Sequence, residues 1–189
     1  FSKLRGKQLI KETYQEYPQF AARSQIIGKM FTAKEVMRLQ HSWNNEKKPF
    51  IFTIGYEGIS IDAFLNKLIT NNIMAVVDVR HNPQSMKYGF SKKRFKEYIE
   101  GSRMKYIHIP GLGIPSSMRK GLGSDISHES LFRKYEAELL PENVDAQIQL
   151  LKLFEEHPRI ALVCFEADHH HFCHRNTLLE HLQKKKPLT

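Results

Sequence analysis

No apolar run in the 189 residues approaches the roughly 18 needed to cross a bilayer, and the opening FSKLRGKQLI lacks the apolar core of a secretory signal. Cysteine is scarce: Cys164 and Cys173 are too few for the disulfide framework of a small secreted domain, although a local redox pair stays open. These absences predict a soluble, cytoplasmic protein with no membrane partner. Acidic residues are also short, 20 against 29 Lys and Arg, giving a net charge of +9.

That excess is unevenly placed. Residues 1–48 hold 10 Lys and Arg against 4 Asp and Glu, leaving 19 against 16 for the rest. A basic segment of this kind docks on polyanions by releasing their counterions; the alternative is a set of solvated helix faces. Its sequence predicts one helix around Arg5 to Tyr17 and another after Thr32, where Thr32-Ala-Lys-Glu35 has the capping-box pattern. Val36, Met37, Leu39 and Trp43 have the spacing of a buried stripe. Asn44-Asn-Glu-Lys-Lys-Pro49 then separates a basic helical extension, 1–48, from a second unit, 49–189.

From Phe50 the pattern changes to four short apolar runs, PFIFTIG, IMAVVDV, MKYIHIP and RIALVCF, separated by helical stretches. Runs without polar alternation suit strands covered on both faces, and the intervening lengths suit helical crossovers. The fold class expected is α/β: a mainly parallel sheet of about four strands flanked by helices in a Rossmann-like layered architecture, with an N-terminal helical extension. Helices are expected near Ser60–Asn71, Ser91–Gly101, Ser127–Leu140, Asn143–His157 and Phe172–Lys185. The glycine-rich PGLGIPSSMRKGLGSDIS, carrying Arg119 and Lys120, is long for a connection and suggests a lid or a surface excursion.

In open α/β sheets ligands bind beyond the carboxyl ends of the strands. The first strand ends at Gly55-Tyr56-Glu57-Gly58, and the second at Asp78-Val79-Arg80 followed by His81-Asn-Pro-Gln-Ser85. The third delivers His108, and the fourth Cys164-Phe165-Glu166 before a histidine-rich loop and Cys173-His174-Arg175. Arg80 is either an anion grip or half of an ion pair with Asp78. A helix N-terminus at Cys173 and Arg175 attracts anions and lowers a thiol's pKa.

Thr53-Ile-Gly55, Asp78-Val-Arg80 with Pro83 and Ser85, Tyr106-Ile-His108-Ile-Pro110 with Leu112-Gly113, and Cys164-x-Glu166 with Cys173-His174-Arg175 stand in order from about residue 50 to 182. Together they resemble the domain-of-unknown-function 488 family of prokaryotic proteins. The resemblance implies a cytosolic α/β domain and, as site candidates, Arg80, Ser85, Glu166, Cys173, His174 and Arg175; it carries no reaction.

The first functional expectation is an enzyme acting by hydrolysis or group transfer on a phosphorylated or nucleic-acid-related substrate. Its catalytic candidates are Glu166 as general acid or base, Cys173 as nucleophile and His174 or His108 as that thiol's base. Gly55, Arg80, Ser85, His108 and Arg175 are its candidates for binding substrate. The chain also resembles rhodaneses and Cys-dependent phosphatases in element order, but His170 stands where their loop needs arginine. No cofactor is expected. A zinc site from Cys164, Cys173 and some of His169, His170, His171, His174 and His108 is an alternative, although C-x8-C-H matches no standard zinc signature. The third alternative is a non-catalytic module binding nucleic acid or protein through the basic helices.

Overall fold

The computed structural model describes residues 3–17, 20–21, 24–41, 48–120, 123, 127–167 and 173–185. In the N-terminal part, α1 spans Gly6–Glu16, a short α2 spans Ile27–Met30 and α3 spans Ala33–His41. The capping box forms as expected: the Thr32 amide donates to Glu35 Oε2 at 2.8 Å and the Glu35 amide to Thr32 Oγ1 at 3.3 Å. Tyr14, Ala21 and Phe31 bury themselves together, with Val36 packed against them. Met37 is exposed, so the expected stripe fails there. The side chain of Leu39, and Trp43 altogether, lie outside the described residues.

Four strands follow: β1 Phe50–Gly55, β2 Ala75–Asp78, β3 Lys105–His108 and β4 Arg159–Cys164. They form one sheet in the order β1-β4-β2-β3, every pair parallel. Residues alternate between its faces. Ala75, Val77, Ile160 and Leu162 join one buried cluster, whereas Val76, Ala161 and Val163 join the other. Each face needs its own helices, because strands buried on both sides leave neither free for water.

On the second face lie α4 (Ile61–Thr70) and α5 (Lys92–Gly101), contributing Phe64, Leu65, Leu68, Phe95 and Ile99. On the first lie α6 (His128–Lys134), α7 (Val144–Glu156) and α8 (His174–Lys185), contributing Leu131, Leu150, Leu153, Leu178 and Leu182. The expected helix Ser127–Leu140 is interrupted: after Lys134 the chain makes a π-helical turn over Tyr135–Leu139 and then a single turn, Leu140–Glu142. Tyr135 is fully buried by that turn, and its hydroxyl donates to the Leu112 carbonyl at 2.8 Å.

This strand order is what positions the site. β4 lies between β1 and β2, with Asp78 of β2 in register with Val163 and Gly55 of β1 with Cys164. The polar segments that follow β1, β2 and β4 therefore meet at one end of the sheet.

Candidate functional site

Asp78 is fully buried and Arg80 nearly so. Arg80 Nε donates to Asp78 Oδ1 at 2.7 Å and Nη2 to Oδ2 at 2.6 Å, while Nη1 donates to the Tyr56 hydroxyl and the Phe90 carbonyl, both at 2.8 Å. The Tyr106 hydroxyl donates to Asp78 Oδ2 at 2.7 Å. Burial works against the Arg80 charge, but Asp78 outweighs it and raises the pKa; burial and then the same carboxylate push the Tyr106 phenol up. Four of the five guanidinium N–H groups are thus held by the protein, and the charge is balanced from within.

A cavity of about 280 Å³ opens beyond these strand ends, lined by Tyr56, Arg80, Asn82, Gln84, Ser85, Ser116, Arg119, Cys164 and Glu166 among others. A smaller one, about 60 Å³, adjoins it and shares Ile114, Arg119 and Glu166 while adding His128 and His174. Arg119 Nη1 stands 3.9 Å from Glu166 Oε1, both side chains being partly exposed. This is a loose ion pair at the junction of the two cavities.

Glu166 is placed by backbone contacts. The Glu57 amide donates to the Phe165 carbonyl at 2.9 Å and the Ala167 amide to Glu57 Oε2 at 3.0 Å, tying the segment after β1 to the segment after β4. A Cβ on Gly55 would lie 1.8 Å from the Glu166 carbonyl oxygen, so only glycine admits this crossing. Gly113 does the same for the segment after β2, where a Cβ would sit 2.1 Å from the His81 amide nitrogen.

Beneath the cavities, Cys164, Cys173 and His174 gather, all buried, their ligand atoms within 4.8 Å of one another; such a group can hold a metal ion. The Cys164 thiol donates to Glu166 Oε2 at 2.9 Å. Cys173 Sγ accepts from Arg175 Nε at 3.1 Å and lies 3.8 Å from His174 Nδ1. Burial alone would raise the Cys173 pKa, but its contacts with Cys164 and His174 and the Arg175 charge outweigh it and lower it. The Cys164 thiol is pushed up, first by its contact with Cys173 and then by burial. Arg175 is 0 % exposed, its Nη2 donates to the Glu166 carbonyl, and its Nη1 has no partner. Among the described residues its guanidinium meets no carboxylate, and the Cys173 sulfur is the side-chain acceptor it contacts.

The predicted residues divide accordingly. Arg80, Ser85 and Glu166 line the larger cavity and His174 the smaller. Cys173 and Arg175 pack behind them and line neither. Gly55 is approached by the Glu166 backbone, so the close contact expected there is made by the protein itself. His108 stands apart: its Nε2 faces the Arg80 carbonyl at 2.8 Å and its Nδ1 the Lys92 ammonium at 3.0 Å, which assigns the proton to Nε2. His169, His170 and His171 lie outside the described residues, as does part of the glycine-rich loop. Tyr56 and Arg119 were not singled out by sequence as cavity residues, and the signal for each was its place directly after a strand-end glycine or within that long loop.

Fold and site together define a parallel α/β domain with a polar cleft at the carboxyl ends of its strands. The family model described as the domain of unknown function DUF488 matches residues 60–182, well over half of the chain, and the protein belongs to that family. The match begins after β1, so the Thr53-Ile-Gly55 motif falls outside it. No curated protein and no solved structure matches the chain. Among the described residues no helix is long and apolar enough to cross a membrane.

Proposed function

We propose that the protein is an enzyme that takes a phosphorylated, nucleotide-like compound into the cleft and carries out hydrolysis or group transfer, with Glu166 as general base. The observation that carries this reading is the Arg119–Glu166 pair at the junction of the cavities. Arg80 is already neutralised by Asp78, so Arg119 is the cavity cation with charge to offer an incoming anion. A phosphoryl group drawing Arg119 to itself leaves the Glu166 carboxylate free to take a proton. Asn82, Gln84, Ser85 and Ser116 add neutral hydrogen-bonding groups around the same space.

In the hydrolytic form, Glu166 removes a proton from water as the water oxygen bonds to phosphorus. The bond from phosphorus to the leaving oxygen breaks, and that oxygen takes a proton from solvent. Group transfer replaces the water by an acceptor hydroxyl.

The test is a thermal-shift screen of nucleotides, phosphosugars and oligonucleotides against wild type, Arg119→Ala and Arg80→Ala. A compound at about 100 times its Kd adds roughly 2.7 kcal/mol, or roughly 5–10 °C for a chain of this size. Wild type is expected to shift with at least one phosphorylated compound and Arg119→Ala to lose most of that shift. Shifts that survive Arg119→Ala, or binding that depends only on residues 1–48, would contradict the assignment.

A further inference from the structure

The Cys164, Cys173 and His174 cluster has a geometry that its role as mere packing leaves unexplained. Two sulfurs and one imidazole nitrogen converge from two rigid elements, the last residue of β4 and the start of α8. We propose that these three residues bind one zinc ion whose fourth position opens toward the cavities, where Glu166 receives a proton from the bound water.

Three observations support this. The first is reach: tetrahedral zinc holds sulfur at about 2.3 Å and nitrogen at about 2.0–2.1 Å, so its ligand atoms stand roughly 3.5–4 Å apart. The atoms here lie within 4.8 Å of one another, and Cys173 Sγ to His174 Nδ1 is 3.8 Å. Side-chain rotations of ordinary size close the difference.

The second is the tautomer of His174. Its Nε2 faces the Val79 carbonyl at 3.3 Å, an oxygen that can only accept, so the proton sits on Nε2 and the Nδ1 lone pair points to the sulfurs. A backbone carbonyl holding the far nitrogen is how metal-binding histidines are oriented. Tyr135 packs edge-on against the same ring, 5.4 Å between centroids, fixing its plane.

The third is charge. Two thiolates neutralise the ion, and the buried Arg175 guanidinium stays hydrogen-bonded to one of them. Arg175 Nε donates to Cys173 Sγ at 3.1 Å, the N–H···S contact that stabilises a metal-bound thiolate. Loading the ion releases the Cys164 thiol proton to solvent and so ends the S–H···O bond from Cys164 to Glu166 Oε2. That carboxylate oxygen is then free to accept from water on the metal.

Placement makes the site open. Cys164 lines the larger cavity and His174 the smaller, with Glu166 in both, so the ion would sit in the wall between them. Three protein ligands with a water-facing position mark catalytic zinc, and soft thiolates select zinc over magnesium or calcium. This inference rests on the sulfur–imidazole cluster and holds whether or not Arg119 binds an anion.

The experiment uses the full chain purified without chelators. Mass-spectrometric metal analysis is expected to find about one zinc per chain. Replacement by Co²⁺ is expected to give thiolate-to-cobalt charge-transfer bands in the near ultraviolet and tetrahedral bands in the visible. Cys173→Ser and His174→Ala should lower the zinc content roughly 10-fold or more, while Arg119→Ala keeps it. Should those variants fail to fold, the wild-type cobalt spectrum decides alone. Wild type that lacks stoichiometric zinc and takes up Co²⁺ without a thiolate band would overturn the proposal.

Discussion

The two arginines nearest the cavity differ in what their charge is already doing. Arg80 is buried against Asp78, whereas Arg119 is partly exposed and loosely paired. Asp78→Asn should therefore destabilise the fold by about 3–5 kcal/mol, because it strands a buried guanidinium without its counter-charge. Arg119→Ala should change stability by no more than about 0.5 kcal/mol. Denaturant midpoints of the two variants, compared at equal slope, check this pair of expectations. Gly55→Ala should cost more than about 2 kcal/mol, since its Cβ would lie 1.8 Å from the Glu166 carbonyl oxygen and must push a backbone aside. The Asp78-x-Arg80 spacing was legible because alternate strand residues share a side. Tyr56 and Arg119 were not, because their contacts with Arg80 and Glu166 join positions far apart in the chain.

At the scale of elements, the strands announced themselves as continuous apolar runs, and the helices by period and caps. Ser60 caps α4 by accepting from the Ala63 amide at 3.2 Å, so Ser60→Ala should cost about 1 kcal/mol in thermal or chemical unfolding. Ser91 shows the limit of such reading. It stands at the expected start of α5, yet its hydroxyl is spent on the Ser85 carbonyl, organising the loop that carries the cavity wall. The π-helical turn after Lys134 was equally invisible, because a one-residue change of winding leaves the apolar period almost intact. Its consequence is local: it buries Tyr135 between Leu112 and His174. Tyr135→Phe should destabilise by about 1–3 kcal/mol through the stranded carbonyl, measured by the same unfolding curves.

Over the whole molecule, strand order was the missing quantity. Motifs gave the chain order of the polar segments, while their convergence depends on β4 lying between β1 and β2. No local pattern encodes that insertion; it follows from which apolar faces pack against which helices. The apolar cluster of Tyr14, Ala21 and Phe31 is separate from the two clusters that flank the sheet. A chain beginning at residue 47 keeps the Lys48 carbonyl that Arg159 Nη1 binds at 2.8 Å. That shortened chain should melt cooperatively within about 5 °C of the full protein in calorimetry, consistent with a stability change of no more than about 1–2 kcal/mol. Loss of the transition would mean that the N-terminal helices belong to the same folding unit.

The most direct test of the central claim is the turnover of Glu166→Gln with the phosphorylated compound that gives the largest wild-type thermal shift. The substitution preserves shape and removes the base. Binding should stay within about 3-fold of wild type while kcat falls roughly 10²–10⁴-fold, the range general-base catalysis contributes. A Glu166→Gln protein that turns the compound over at the wild-type rate would contradict the account.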